Sequence, residues 1–213
     1  MRNSSSIQPT NQTDPIKQPV PINSLRPLCY NIPMDLKKAL TLIVAGFEKN
    51  DVPYAIIGGF AIGALGIPRS TIDLDFLVPA DSLHKIEAVM LALGYKKVFA
   101  SENASQYVSP SPEMGEVDFL HAFRPISIKM LAEAETIPVF GKEARVKVLK
   151  AEDIIALKLQ SINNNPARLA KDNSDIEELM KSRSLDWEIL KAYFELFGLE
   201  KRFIELKAKY AGK

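Results

Sequence analysis

Two aspartates separated by one residue are the first candidates for chemistry in this sequence. Asp73 and Asp75 flank Leu74 and precede the apolar run 76–78, which is typical of a buried strand. Side chains at positions i and i+2 of a strand lie on the same face, so both carboxylates point the same way. Two like charges this close repel each other unless water or a cation lies between them, and magnesium and manganese prefer such oxygen ligands. The pair therefore predicts a metal site, although two solvated acids at a strand start would have the same spacing.

A third acid, Asp118, lies in a later segment in which apolar and polar residues alternate. Val117 and Phe119 share one face of the expected strand, and Asp118 lies on the other. Three carboxylates from two neighbouring strands could hold two divalent ions, and such a pair of ions can clamp an in-line displacement at phosphorus. Glu116 competes for this third position, and a hydrated strand residue is the plainer interpretation of Asp118 alone.

Two consecutive glycines, Gly58 and Gly59, stand where a short apolar strand passes into a helix. Backbone N–H groups point outward at such a turn, and a side chain there would block the close approach of a phosphate. On their own the glycines favour a tight turn with positive φ. Together with the aspartates they indicate a phosphate-binding turn.

In the run YAIIGGFAIGALGIPRSTIDLDFLV thirteen residues separate the two glycines from Asp73, and a lone acid follows in a later hydrophobic strand. This pattern resembles the DNA polymerase beta-like nucleotidyltransferase superfamily, in particular its bacterial abortive-infection and toxin–antitoxin branch, over about residues 36–182. The resemblance implies an enzyme that moves a nucleoside monophosphate from a triphosphate to a hydroxyl with Mg²⁺ or Mn²⁺. It also implies that Asp73 and Asp75 are catalytic metal ligands, and that Asp118 is the third ligand and promotes deprotonation of the acceptor hydroxyl.

The same resemblance assigns the nucleotide phosphates to Gly58 and Gly59. The superfamily often has serine at the second position. This chain has Gly59 there, which offers no hydroxyl to a phosphate. Pro68 and Arg69 begin a stretch that matches the Pro-Arg-x-Thr run of the family, and the Arg69 guanidinium could contact the triphosphate or the acceptor. A plain surface arginine is the alternative.

Lys158 interrupts the apolar stripe of a helix that we expect over residues 151–163. Either its stem extends past the core to water, or its ammonium meets a buried anion, which would be a nucleotide phosphate or a carboxylate. The resembling toxins carry a lysine in this helix, and on that ground we assign Lys158 to nucleotide binding. The assignment predicts that Lys158→Met folds normally and binds triphosphate more weakly.

Asn165 and Pro166 have the residue types of an N-cap and a first helical position, so a helix is expected over 166–182. A later start, with Ser174 and Glu177 as a capping box, would leave the preceding residues in a turn.

The stretch 168–176 is similar to the Arg, Lys-Asp and Asp signature of the same toxins. The similarity implies that Lys171 and Asp172 bind nucleotide and that Asp175 forms a bracing salt bridge.

Hydrophobic periodicity defines the elements that must position these residues. The fold class expected is α/β (α+β), a nucleotidyltransferase-type mixed sheet flanked by helices with a helical C-terminal extension. The expected division is a flexible tail over 1–33, an α/β core over 34–149 and a helical region over 150–213. The expected helices are 35–49, 60–65, 82–93, 126–135, 151–163, 166–182, 185–198 and 200–211, and the expected strands are 53–57, 73–78, 96–100, 106–109, 116–121, 137–140 and 144–149.

Composition excludes several classes of protein. The chain of 213 residues has 27 Lys and Arg against 26 Asp and Glu, so no overall charge drives it onto DNA or an anionic membrane. A single cysteine, Cys29, and two histidines cannot build a disulfide or zinc scaffold. The longest uncharged stretch, 52–68, is broken by glycines and proline, so we expect no membrane span and a cytoplasmic protein.

The expected partners are a nucleoside triphosphate, a tRNA or protein acceptor, and an antitoxin protein if the chain is a toxin. Two other functions fit the same residues. One is nucleotidyl transfer to an aminoglycoside-type antibiotic, and the other is a non-catalytic module that binds nucleotide or antitoxin. Three converging carboxylates favour an enzyme, because such a cluster is costly without a cation.

Overall fold

Eight α-helices and seven β-strands lie within the described residues, 34–181 and 185–211, of the computed structural model. The predicted tail, 1–33, which includes Cys29, lies outside the described residues. The helices are α1 (Leu36–Lys49), α2 (Gly58–Ala64), α3 (Leu83–Ala92), α4 (Pro125–Ala132), α5 (Ala151–Asn164), α6 (Leu169–Lys181), α7 (Trp187–Leu196) and α8 (Glu200–Tyr210). The strands are β1 (Ala55–Ile57), β2 (Leu74–Pro79), β3 (Lys96–Ala100), β4 (Ala104–Val108), β5 (Glu116–Ala122), β6 (Glu135–Val139) and β7 (Ala144–Val148).

The strands form one mixed sheet in the order β3-β4-β5-β2-β1-β7-β6. At its centre β2 is antiparallel to β1 and parallel to β5, and β1 is parallel to β7. The outer neighbours β3–β4, β4–β5 and β6–β7 are antiparallel. The prediction of a mixed sheet flanked by helices, with helices at the C-terminal end, is confirmed.

Aromatic packing on one face of the sheet fixes the register of β2 against β5. Phe76 and Phe119 are register partners whose rings stack at 5.6 Å, and Phe47 of α1 packs edge-on against both. A slip of one residue would turn this buried face outward, so the aromatic core specifies the pairing strongly. Because residues alternate between faces, the same register places Asp75 opposite Asp118 on the other face.

Helix α1 supplies its share of the core through one apolar stripe. It starts where the Asp35 side chain accepts a hydrogen bond from the backbone N–H of Lys38, which satisfies one of the free amides of the first turn. Its buried residues recur with helical spacing. They are Ala39, Leu40, Ile43, Val44 and Phe47.

Two element boundaries differ from the prediction at the glycine turn and the aspartate pair. Helix α2 begins at Gly58 and not at Phe60, so both glycines lie in its first turn. Strand β2 begins at Leu74, and Asp73 precedes it. Asp73 is therefore exposed in the loop, while Asp75 is partly buried within the sheet.

The segment predicted as one helix over 166–182 contains a 3-10 turn at 166–168 followed by α6. The Asn165 side chain accepts from the N–H of Ala167, so the predicted N-cap is confirmed. The alternative start with a Ser174–Glu177 capping box is wrong, because α6 already begins at Leu169.

After β7 every element of the described residues is helical, as the periodicity predicted. Helix α5 packs against α6 and α7, and α7 packs against α8. Phe203 joins the last two helices through ring contacts with Trp187 at 6.2 Å and with Phe194 at 5.7 Å. Among the described residues no helix combines the length and apolar character needed to cross a bilayer.

Candidate active site

Three aspartates gather at one end of the central strands. Asp75 in β2 is the register partner of Asp118 in β5 on one side and of Ile57, the last residue of β1, on the other. Asp73 precedes β2 by one residue. The structure thus places Asp75 and Asp118 side by side at one end of the central strands, with Asp73 in the adjoining loop.

The pKa values of two of these carboxyls reflect their surroundings. Burial is the main cause that raises the pKa of Asp75 to about 6, and the charge of Asp73 adds to it. Burial likewise raises the pKa of Asp118 to about 7, with Asp75 and Asp73 as further causes. Desolvation and like charge both disfavour the ionised form. The cluster is thus short of positive charge.

Asp118 and Glu116 lie on the same face of β5, because they are two residues apart. Only Asp118 is paired in register with Asp75, and Glu116 adds to the negative charge that raises the Asp118 pKa. Gln106 of β4 is the register partner of Asp118 on its other side, and its side-chain hydrogen bond partly opposes that rise. Gln106 was not among the residues predicted from sequence, although alternation with the buried Ser105 and Tyr107 would have placed it on this face.

The two glycines are packed against the chain's own side chains. Gly58 has φ +67°, and a Cβ built on it would lie 2.7 Å from Asp75 Cγ. A Cβ on Gly59 would lie 3.0 Å from Thr71 Cβ. Glycine is therefore required at both positions to let Asp75 and the loop before β2 lie against the first turn of α2.

The predicted nucleotide-binding residue Lys158 lies in a buried ion-pair network. Its Nζ donates to Asp175 Oδ2 at 2.5 Å and to Asp172 Oδ1 at 3.1 Å. Both aspartates belong to α6, and they are 4% and 0% exposed respectively. Of the alternatives for Lys158, the structure shows the one in which its ammonium meets buried carboxylates.

Two arginines complete this network, which we call the charge network: Arg69, Lys158, Arg168, Asp172 and Asp175. Arg168 Nε donates to Asp172 Oδ2 at 2.9 Å, and Arg69 Nη1 lies 3.2 Å from Asp175 Oδ1. Burial alone would raise the pKa of Asp172, but the Arg168 hydrogen bond and Lys158 together lower it. Asp175 thus forms the salt bridges expected of it, and Arg69 is no plain surface arginine.

The charge network lies close enough to Asp75 to act on its carboxyl. The positive charges of Lys158, Lys171 and Arg168 all lower the pKa of Asp75 and so oppose the larger effect of its burial. Lys171 itself is exposed on α6. Three cations against two carboxylates leave the network with a net positive charge beside the acids, and such a charge attracts phosphate.

The donors at the sheet edge are suited to a hard divalent cation, because Asp73, Asp75 and Asp118 offer only oxygen. The raised pKa values of Asp75 and Asp118 are those of carboxyls that a cation would stabilise in their ionised form. Within residues 34–181 and 185–211, no three or more His, Cys, Asp and Glu side chains are grouped closely enough to hold a metal ion.

His121, to which the sequence analysis gave no role, is buried on the opposite face of β5. Its Nδ1 lies 2.9 Å from the Glu102 carbonyl oxygen, which can only accept, so Nδ1 carries the proton. Its Nε2 then accepts from Ser105 Oγ at 3.0 Å. Both ring nitrogens are satisfied within the core, and His121 stabilises the pairing of β4 with β5.

Several solved structures are similar to this chain. The solution structure of the antibiotic-resistance factor ANT(2'')-Ia is 19% identical over 84% of this chain and 100% of its own, with a TM-score of 0.58. The crystal structure of ANT(2'')-Ia in complex with adenylyl-2''-tobramycin is 18% identical over 82% and 98%, with a TM-score of 0.53. An antigenic nucleotidyltransferase-like protein from Paracoccidioides brasiliensis is 19% identical over 85% and 96%, with a TM-score of 0.51.

No protein-family model and no curated protein matches the sequence. Each of the three comparisons covers 82–85% of this chain and 96–100% of the other chain. The chain therefore has the nucleotidyltransferase fold, as its resemblance to the DNA polymerase beta-like superfamily predicted.

Proposed function

We propose that the protein is a nucleotidyltransferase that moves a nucleoside monophosphate from a nucleoside triphosphate to a hydroxyl of a macromolecule, either tRNA or protein. The observation that carries the proposal is the register pairing of Asp75 with Asp118, beside Asp73 and the first turn of α2. A fold shared with nucleotidyltransferases supports it. We place the reaction in the cytoplasm, where triphosphates are abundant.

In the proposed reaction the acceptor hydroxyl oxygen attacks the α-phosphorus and the bond to pyrophosphate breaks. The Asp118 carboxylate takes the hydroxyl proton, the general-base role that the family resemblance implies for it. The Gly58 and Gly59 N–H groups at the start of α2 face the triphosphate. Asp73, Asp75 and Asp118 would hold two Mg²⁺ or Mn²⁺ ions, which supply neutralisation of the phosphates and activation of the hydroxyl when bound.

The remaining predicted nucleotide-binding residues divide into two roles. We propose that Arg69 and Lys171 contact the phosphates, because Arg69 is partly exposed and Lys171 is exposed beside the acids. Lys158 and Asp172 bind each other, and we give them a positioning role. They hold α6 against α5 and so fix the positive charge near Asp75.

The test is transfer of label from each α-³²P-labelled triphosphate, with Mg²⁺, to total tRNA, to protein extract or to aminoglycosides. Transfer that requires Mg²⁺ and is lost in Asp75→Asn supports the proposal. Asp81→Asn is the matched control, because Asp81 is an exposed acid just beyond the same strand. Tight triphosphate binding with no transfer to any acceptor would instead indicate a non-catalytic nucleotide-binding module.

An antibiotic hydroxyl is the second candidate acceptor. The fold likeness to ANT(2'')-Ia, solved in complex with adenylyl-2''-tobramycin, favours including it. Tobramycin and kanamycin therefore form a separate arm of the same assay. Label on an aminoglycoside and none on macromolecules would establish this second function.

The biological setting that we propose is a toxin whose activity is neutralised by an antitoxin protein. The basis is the resemblance of the glycine, aspartate and Lys-Asp motifs to toxin nucleotidyltransferases. Induced expression is then expected to arrest growth, and Asp73→Asn is expected to abolish the arrest. Normal growth at high levels of folded wild-type protein would contradict this setting.

A further inference from the structure

An open cavity of about 680 Å³ lies beside α2, outside the cluster of aspartates. Three elements form its walls: the face of α2 with Phe60, the loop that carries Arg69, and the end of β6 with the turn that follows it. Its volume is within the range of small-molecule sites in proteins. The full set of lining residues is Leu36, Phe60, Gly63, Ala64, Arg69, Ser70, Thr71, Pro138, Val139, Phe140, Gly141 and Lys142.

The charges of this cavity all have one sign. Arg69 and Lys142 are basic, and none of the lining residues is acidic. The acid next along the chain, Glu143, is paired with Lys37 at 2.5 Å. Such walls attract an anion and repel a polycation.

The cavity also presents aromatic surface. Phe60 and Phe140 face each other from α2 and the turn after β6, with ring centroids 5.8 Å apart and an interplanar angle of 56°. Both rings are only partly buried, so part of their surface remains accessible. An accessible phenyl ring is a platform on which a nucleic-acid base can stack.

The turn that carries Phe140 and Lys142 is held in an unfavourable conformation. Phe140, Gly141 and Lys142 have φ values of +51°, +67° and +76°. Two of the three are not glycine, and a non-glycine residue in the left-handed region is strained. Strain of this kind persists where the surrounding structure imposes it, and it clusters at ligand sites. Here it holds an aromatic ring and a lysine on one wall of the cavity.

One loop joins the cavity to the aspartates. Thr71 lines the cavity, packs against Gly59, and donates from Oγ1 to the Asp73 carbonyl oxygen at 3.2 Å. Two residues earlier, Arg69 Nε is buried and has no acceptor within the described part of the chain. The Arg69 side chain as a whole is 28% exposed, and guanidinium groups bind phosphate well.

We propose that this cavity is a second nucleotide subsite, which takes one nucleotide unit of the acceptor strand or of a free nucleotide. The base stacks on Phe140, and the phosphate lies near Lys142 and Arg69. The name "acceptor strand" rests on the proposed function, but the chemistry of the subsite does not. The uniform positive charge favours such a ligand over an aminoglycoside, which is a polycation.

The test measures binding without triphosphate or Mg²⁺, so that no transfer takes place. The probes are a fluorescein-labelled single-stranded RNA octamer by anisotropy, and AMP and tobramycin by calorimetry. Phe140→Leu removes the aromatic face and keeps apolar volume, and Lys142→Gly removes the charge and relieves the positive φ. Phe99→Leu and Lys147→Gln are the matched controls, because Phe99 and Lys147 are exposed strand residues outside the cavity.

We expect Phe140→Leu and Lys142→Gly each to raise the Kd for nucleotide about fivefold or more. Lys142→Gly is also expected to lower the salt slope of RNA binding by about 0.7 and to keep or raise the melting temperature. If the two substitutions weaken RNA binding and the wild type does not detectably bind AMP, the ligand of the subsite is an acceptor strand. If they weaken AMP binding, the ligand is a free nucleotide.

Wild-type RNA and AMP affinity in both variants would overturn the proposal. Tobramycin binding that these two substitutions weaken would overturn it as well. Failure of the transfer assay would refute the proposed function. It would leave this binding result intact, because binding is measured without triphosphate and so does not depend on transfer.

Discussion

The molecule contains two groups of partly or fully buried aspartates, and their electrostatic surroundings are opposite. Asp75 and Asp118 at the sheet edge have like charges as neighbours, and both pKa values are raised, to about 6 and about 7. Asp172 and Asp175 of α6 are buried more deeply, yet each contacts two cationic side chains, and the pKa of Asp172 is lowered.

The difference separates a binding role from a structural one. A carboxylate pair that the protein leaves uncompensated lowers its stability, so its retention points to a ligand that supplies positive charge. A carboxylate pair that the protein compensates internally needs no ligand, and it holds two helices together. The same side chain therefore has a different function according to whether its counter-charge lies inside the chain or outside it.

The sharpest test of this difference neutralises the uncompensated acids. Asp73→Asn or Asp75→Asn is expected to lower transfer roughly a hundredfold or more and to keep or raise the stability of the metal-free protein, because each removes a like charge. Single-turnover transfer and thermal melts without metal measure the two effects. A melting temperature that falls in parallel with activity would show that these acids are structural.

Asp118→Asn separates binding from chemistry within the same cluster. We expect it to bind magnesium triphosphate through Asp73 and Asp75 and to lose transfer by about two or more orders of magnitude, as expected for a general base. Calorimetric titration beside single-turnover transfer checks both. Transfer at the wild-type rate would reject Asp118, and Glu116→Gln would then test the neighbouring acid.

Breaking the compensated group is expected to reverse the pattern. Lys158→Met leaves two buried carboxylates with one cation fewer, which costs about 3 kcal/mol in the free energy of unfolding. The sequence alone led to the opposite expectation, normal folding, and the structure changes it because Lys158 contacts Asp172 and Asp175.

Urea unfolding measures this effect. Lys191→Met is the control, because Lys191 is exposed and its ion pair is a surface contact of 3.8 Å. Adding Asp175→Asn to Lys158→Met is expected to recover part of the lost free energy of unfolding, because it removes one of the two buried carboxylates. If Lys158→Met is as stable as the control variant, the charge network contributes nothing to stability.

Alanine at Gly58 tests how closely the acid cluster approaches α2. The positive φ of Gly58 alone is expected to lower the free energy of unfolding of the alanine variant by about 1 kcal/mol. The overlap of the added Cβ with Asp75 lowers it further and displaces Asp75, a proposed metal ligand. Gly94→Ala is a matched control, because Gly94 has φ +84° and no atom within 4 Å of an added Cβ. Equal losses of stability in both variants, with transfer retained in Gly58→Ala, would contradict the proposed contact.

The smallest expected effect is a pH dependence of the metal-free protein. Asp75 and Asp118 have raised pKa values, so the folded state binds more protons than the unfolded state between about pH 4 and pH 7. Stability therefore falls as the pH rises through this window.

Mg²⁺ should oppose this loss and raise the melting temperature more at pH 8 than at pH 5. In Asp118→Asn the pH dependence of the metal-free melting temperature is expected to be flatter. An equal shift by Mg²⁺ at both pH values would mean that these carboxyls do not bind it.

The sequence predicted the acids of the central strands better than it predicted the charge network. Alternation along β2 and β5 placed Asp75 and Asp118 outward, and the family resemblance brought them together. Their register is set by the stacking of Phe76 on Phe119, a contact between distant segments that local periodicity does not encode.

For the charge network, the sequence showed that Lys158 needed an anion but not which one. The answer depends on how α6 packs on α5, which is a tertiary property. Gln106 and the strained turn at Phe140 were missed for the same reason, since their meaning comes from neighbours in other elements.

The ion pair between Arg69 and Asp175 joins positions that are 106 residues apart in the sequence. During translation the segment with Asp73 and Asp75 leaves the ribosome early, whereas α6 follows much later. The positive side chains that oppose the raised pKa of Asp75 belong to α5 and α6, so a nascent chain lacks them until these two helices have been made. We therefore expect the proposed activity to appear only after α5 and α6 have left the ribosome and packed against the sheet.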